Sequence, residues 1–399
     1  HRDLHSFPTR RSSDLSLNPD YPNTLYGIAL VNQMKGNNDT AFEFALKCIK
    51  KCGEGEKGLS RNAQQLTLES AQALVKTDIG KKPFDDYRKQ LQKKSGKEIK
   101  VEIDNTLDTA AKFEFAEKYD RDYHLVKYNP KHPAIYHLVM HELVHLDFAT
   151  DARNDNRNKL FISNFKTKSV FLNDLRQHRQ VLNKKGLSEP SINEYFDLLF
   201  DGINRQIFNA PIDLFIEDKL FQECMEIRPY QLLSLYSLIS DGIKATTDKN
   251  IVSLSPISIL RASKILNLVG AYQFRDLYGI DLTGNFKANA LEDKTAKEMY
   301  AEFYDYRDDR ESGEEYELVE NWAKDLKLEN YFELVDEEIY GKEKSFDDII
   351  NEIEHDPLDL ESRDPRKEKE MEEFQRSQKE MGTNMAVVMY MVDALEFFQ

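Results

Sequence analysis

Residues 141 to 145 read His-Glu-Leu-Val-His. On a helix, positions four apart lie one turn above each other, so His141 and His145 present two imidazoles to the same point in space. Two ring nitrogens placed in this way suit a tetrahedral zinc ion with a further position left for water. On the metal that water's pKa falls towards neutrality. Glu142, between the histidines, is then the expected general base, taking the proton and later handing it to a departing amine. With nine histidines in the chain, such a pattern arises by chance on the order of once in a hundred sequences of this kind. Its flanks are apolar (Ile135, Leu138, Val139, Leu143, Val144, Leu146 and Phe148), which predicts partly buried imidazoles in need of partners. A metal supplies such partners, and so would polar neighbours in an inert helix. His137, one turn earlier, either lines the same cleft or is a satisfied helix histidine.

The stretch "YHLVKYN" followed by "PKHPAIYHLVMHELVH" resembles the strand, turn and active-site helix of the zincin metallopeptidases over about 25 residues. The resemblance implies His141 and His145 as metal ligands, Glu142 as general base and Zn2+ as cofactor. It also implies that "YHLVKYN" is the edge strand that binds a peptide or protein substrate by strand addition. No third histidine follows His145 at the short spacing of the metzincins, so the third ligand must come from elsewhere.

In zincins of the glutamate type that ligand stands on a second helix. Residues 208 to 220, "FNAPIDLFIEDKL", offer Asp213 and Glu217 one turn apart among Ile212, Leu214, Phe215, Ile216 and Leu220. Two carboxylates on one stripe of so apolar a helix are costly unless something positive faces them. One of the pair is expected to bind the metal and the other to orient a ligand histidine from behind; the glutamate type favours Glu217 as the ligand. Exposed acids, or a salt bridge to Arg228, are the plainer reading. Asp151, Asp155 and Glu194 are reserve candidates. Tyr230 and Tyr272 are candidates for stabilising an oxyanion.

The elements that must position these groups can be read from periodicity. The chain has 399 residues, 40% of them hydrophobic and 11% aromatic, enough for packed cores. The expected fold class is mainly α with a small β-sheet (α+β): a zincin-like core around the active-site helix, flanked by helical hairpins. Residues 1–15 contain "HSFPTRRSSDL", which resembles the translation of a sequencing adapter at the end of a metagenomic gene model, and are set aside as an artefact. Residues 16–95 form a helical segment in which "LYGIALVNQMKGNNDTAFEFALKCIKKC" resembles a tetratricopeptide repeat. Gly36 takes the place of the inter-helix glycine, Ala29, Ala41 and Cys48 fall at small positions, and Pro19 closes the preceding repeat. That resemblance implies a possible protein partner.

Residues 96–350 are assigned to the metallopeptidase domain, with "KEIKVEIDNTL" and "DYHLVKYNP" as short strands, a helix from about Pro133, and an almost wholly helical remainder from 156 onwards. Residues 351–380 read as a charged linker or solvated helix, and 381–399 as the start of a further apolar helix.

A net charge of −16 argues against nucleic acid as a partner. Three cysteines (Cys48, Cys52, Cys224) without a C-x-x-C pair give neither a disulfide framework nor a cysteine zinc site. No run approaches the roughly 20 apolar residues of a membrane span. Localisation is read as cytoplasmic, with a leader upstream of the given start left open. The expected function is a zinc-dependent metallopeptidase. The alternative is a non-enzymatic helical-repeat scaffold with an inert or structural centre.

Overall fold

The computed structural model describes residues 21–107, 111–116 and 121–337. The adapter-like start, Pro19, the charged linker and the last apolar segment lie outside these residues. In chain order the helices are α1 (Pro22–Met34), α2 (Asn38–Lys51), α3 (Lys57–Leu74) and α4 (Lys81–Ser95), followed by strands β1 (Glu98–Ile103), β2 (Ala111–Glu114) and β3 (Tyr123–Tyr128). Next come α5 (Ile135–Asn154), β4 (Lys159–Ile162), α6 (Phe165–Asp174), α7 (Arg176–Lys184) and α8 (Glu189–Glu223). The described chain ends with α9 (Arg228–Thr247), α10 (Lys249–Leu254), α11 (Ile257–Tyr278), α12 (Ala290–Tyr306), α13 (Glu315–Leu326) and β5 (Glu333–Asp336). The architecture is mainly α with a small sheet, as the periodicity indicates.

Local chemistry sets the boundaries of these elements. Pro22 opens α1, where its missing N–H costs nothing. Ser188 caps α8 by accepting the Ser191 N–H, and Asn289 caps α12 in a reciprocal box with Glu292. Gly279 ends α11 at φ +70°, and a Cβ there would lie 2.7 Å from Ile49 Cγ2. Only glycine tolerates both that turn and that approach, so α2 docks directly on the end of α11. Gly80 plays the same spatial part at the entry to α4, where a Cβ would fall 2.7 Å from Tyr136 Cβ on α5.

The helix carrying the histidine motif buries Val139, Met140, Leu143, Val144, Leu146 and Phe148 on several of its sides. A helix apolar nearly all round belongs in the middle of a protein, and α5 lies against α4, α8, α9 and the sheet. Glycine at position 36, φ +80°, turns α1 into α2; Ala29, Ala41 and Cys48 are each fully buried. One continuous core runs from Leu25 in α1 to Phe332 before β5, so the N-terminal hairpin shares its interior with the rest of the chain.

The sheet departs from expectation in one respect that matters for the site. Its order is β1-β3-β2, with β1 parallel and β2 antiparallel to β3. Val126 is opposite both Val101 and Phe113. The "YHLVKY" strand is therefore central, with both of its edges occupied, and cannot receive a substrate strand. The edges are β1 and β2; the latter, a short "AKFE" run, alternates too briefly to mark it in the sequence. A second antiparallel pair, β4 with β5, interrupts the stretch read as wholly helical. The short helix α10 is capped by Asp248, which accepts from the Asn250 and Ile251 N–H groups. Arg228 does not meet Asp213 or Glu217; it pairs with Glu43 at 3.4 Å and donates to the Phe221 carbonyl.

Continuity of the core has a measurable consequence. Leu143→Ala in the fully buried face of α5 should cost about 2–5 kcal/mol. Urea unfolding followed by the fluorescence of Trp322, the chain's one tryptophan, should coincide with unfolding followed by far-ultraviolet circular dichroism. Two separated transitions would show that the N-terminal hairpin folds apart from the rest.

Candidate metal centre

Helices α5 and α8 cross with the histidine stripe of one facing the acidic stripe of the other. The sequence forces this pairing. On α8 the apolar run carries Asp213 and Glu217 one turn apart, and on α5 one stripe carries His137, His141 and His145, with Glu142 beside them. Burying either set alone would leave polar groups without partners.

Three donor atoms converge at the outer end of this contact. His141 Nε2 and His145 Nε2 are 3.1 Å apart, and Asp213 Oδ1 lies 3.3 Å from the first and 3.4 Å from the second. Zinc bonds of about 2.0–2.2 Å in a tetrahedron place neighbouring donors roughly 3.3–3.6 Å apart; the two distances to Asp213 fall in that range, and the His141–His145 distance of 3.1 Å is shorter, within hydrogen-bond reach. Asp213 Oδ1 is buried and makes no aligned hydrogen bond, although two imidazoles face it.

Glu217 stands behind His141. Its Oε1 accepts from His141 Nδ1 at 2.8 Å, and the carboxylate also meets His137 Nε2 at 2.9 Å and 3.1 Å. A proton on His141 Nδ1 leaves the Nε2 lone pair of the neutral ring facing Asp213 and His145. Exposure increases along the row. The side chains of His137 and Glu217 are 2% and 5% exposed, those of His141 and His145 17% and 21%, and that of Asp213 34%. The histidines and acids thus make two overlapping donor sets, His137/His141/Glu217 inside and His141/His145/Asp213 towards solvent.

Electrostatics follow from this packing. Burial works against charge on His141, yet Asp213 and Glu217 outweigh it and hold the imidazole pKa well above its ordinary 6.5. Burial likewise opposes ionisation of Glu217, and the histidines His137 and His141 overcome it, so the carboxyl lies far below the usual range. Asp213 is lowered in the same way by His141 and His145. Glu142 goes the other way. Burial raises its pKa in spite of His145 and His141, and its carboxylate accepts the backbone N–H of Phe113 on β2. A carboxyl raised above its ordinary range beside two imidazoles is placed to exchange protons.

The structure brings together every member of the sequence-derived set: His141, Glu142, His145, Asp213 and Glu217. Within the acidic pair, Asp213 stands with the Nε2 atoms of His141 and His145, whereas Glu217 meets His141 Nδ1 and His137 Nε2. Of the reserve acids, Asp151 is held by Lys94 at 2.6 Å, and Asp155 and Glu194 are absent from both donor sets. Neither tyrosine is available to an oxyanion: Tyr230 donates to the Thr77 carbonyl and Tyr272 to Asp293. His137 is a buried partner of Glu217. Sequence reasoning missed Gln231 on α9, fully buried, which donates to Glu217. An amide inside the apolar run "YQLLSLY" was the available signal.

No family model, curated protein or solved structure matches this chain.

The charge balance predicts a specific defect. Glu217→Leu leaves His137 and His141 facing an apolar group, and should destabilise the fold by about 3–5 kcal/mol at neutral pH, as expected when one partner of a buried ionic group is removed. Because Glu217 is ionised at lower pH folded than unfolded, its contribution is present above the unfolded carboxyl pKa and is lost as pH falls through the folded one. The cost of the substitution, read from urea unfolding, should therefore shrink on strong acidification; an equal cost at every pH would show that only packing was removed.

Proposed function

We propose that the chain is a zinc-dependent metallopeptidase. The observation that carries this reading is the triangle of His141 Nε2, His145 Nε2 and Asp213 Oδ1 at 3.1–3.4 Å, with a buried carboxylate oxygen that has no hydrogen bond. These three atoms would hold the metal. Two imidazoles and one carboxylate are the donor types of catalytic zinc sites that keep a position open. A zinc ion bound there supplies Lewis acidity to a peptide carbonyl and acidifies water.

The chain's own residues do the rest. Glu142, on the same turn as His141, accepts a proton from the attacking water and returns it to the amine that leaves. Its raised pKa suits both halves of that task, since a strongly acidic carboxyl is a poor base and a poor donor near neutrality. Glu217 keeps the His141 Nδ1–H in place, which makes Nε2 the donor lone pair and strengthens it as a ligand. Burial of Val139, Leu143, Val144 and Leu146 around these groups lowers the local dielectric and strengthens each interaction. The substrate class is a peptide or protein. No helix among the described residues is long and apolar enough to cross a membrane.

Metal analysis of the purified protein beside four variants tests the reading. Glu142→Gln should retain zinc and lose casein cleavage by about 10²–10⁴-fold, whereas His145→Ala and Asp213→Ala should lose both. Glu217→Gln should keep the site but weaken zinc binding by about 10–100-fold. Equal zinc content in wild type, His145→Ala and Asp213→Ala would overturn the ligand set and leave the helical scaffold reading. The pH dependence has a definite sign. His141 holds its proton to a pH well above 6.5, so zinc must displace it, and affinity should rise about tenfold per pH unit until that proton is gone. Calorimetry in buffers of different ionisation enthalpy measures the proton released.

A further inference from the structure

Glu217 is itself held from a third and a fourth helix. Gln231 of α9 donates its side-chain amide to Glu217 Oε2 at 2.6 Å and to the backbone carbonyl of Glu217 at 2.8 Å. Tyr278, the last residue of α11, donates its hydroxyl to Gln231 Oε1 at 2.7 Å and lies 3.2 Å from the Arg228 carbonyl. Gln231 and Tyr278 are both fully buried. The chemistry fixes which end of the amide points where. Carboxylate and carbonyl accept only, so the NH₂ must face Glu217, and the amide oxygen is left to accept from the phenol.

The terminal torsion of a glutamate is broad and roughly two-fold, so a buried carboxylate can swing unless both oxygens are engaged. In this chain both are. Oε1 takes His141 and Oε2 takes Gln231, while His137 bridges the two. The Gln231 amide also grips the main chain of the same residue, which closes a ring across the Glu217 side chain. Any loss of that grip is transmitted to the ring nitrogens that Glu217 meets, His141 Nδ1 and His137 Nε2.

We infer that Gln231, set by Tyr278, is the positioning residue of the centre, orienting Glu217 so that His141 presents Nε2 towards Asp213 and His145. The consequence for affinity rests on the zinc reading above; the orientation of Glu217 and His141 does not. Gln273 provides an internal control. It too is a nearly buried glutamine reaching α8, but it donates to the Leu214 carbonyl at 2.6 Å and does not touch Glu217.

The test compares full-length wild type with Gln231→Met, Tyr278→Phe and Gln273→Met. Three quantities are read: thermal midpoint, zinc affinity by chelator competition, and the downfield, slowly exchanging NMR signal of the His141 Nδ1 proton in metal-free protein. Gln231→Met should weaken zinc binding by about 10–100-fold, Tyr278→Phe by less, and Gln273→Met hardly at all, although all three lower the midpoint. The Nδ1 signal should be lost or broadened in Gln231→Met and kept in Gln273→Met. Equal zinc affinity and an unchanged Nδ1 signal across the set would overturn the inference and leave Gln231 a packing residue. If wild type binds no zinc, the metallopeptidase reading falls, and the Nδ1 signal alone decides: present in wild type and lost in Gln231→Met upholds the positioning role, absent from wild type refutes it.

Discussion

The arrangement depends on one buried carboxylate. Glu217 lies in an apolar interior where an isolated charge would cost many kcal/mol, and it is tolerated because His137, His141 and Gln231 converge on it. The same contacts bind α5 to α8 at their crossing, since His137 and His141 of one helix both reach this carboxylate of the other. Placing His141 against Glu217 also places His145 and Asp213 one turn further out. Interior charge satisfaction and the outer triangle of donors are thus two ends of a single helix–helix registration.

That coupling explains how the site divides its labour. The inner set is dry, fully engaged and hydrogen-bonded at 2.6–3.1 Å. The outer set has wider spacings, partial exposure and a carboxylate oxygen without a hydrogen bond. Short contacts are what proton-bearing partners make. The outer separations, 3.1–3.4 Å, are longer and less aligned. His141 belongs to both sets, one nitrogen to each, so the inner and outer carboxylates both bear on its protonation state.

Much of this was legible in the sequence for a physical reason: helical spacing is rigid. His141, Glu142 and His145 follow from a four-residue period, and Asp213 with Glu217 stand out as carboxylates in an otherwise apolar run. Helices α1, α2 and α5 and strands β1 and β3 follow equally from periodicity. The order within the acidic pair did not, because it depends on how deep each residue lies at the crossing with α5, a tertiary quantity. The central place of β3 was also hidden: the partner strand β2 is four residues long, and pairing order leaves no mark on a strand's own alternation. Gln231 belongs to the same class, since a lone amide announces that it needs partners without naming them.

Pro211 gives the longest helix a particular weak point. It lies inside α8, two residues before Asp213, and having no N–H it cannot bond back to the Ile207 carbonyl. Helical cooperativity passes from turn to turn through such bonds, so the break partitions α8 into an upstream arm and a downstream arm. Fraying that begins near Ser188 can end at the proline, and the segment bearing Asp213 and Glu217 keeps its own ladder, anchored by α5, α9 and α11. The helix is thereby insulated along its length, with its acidic pair on the protected side.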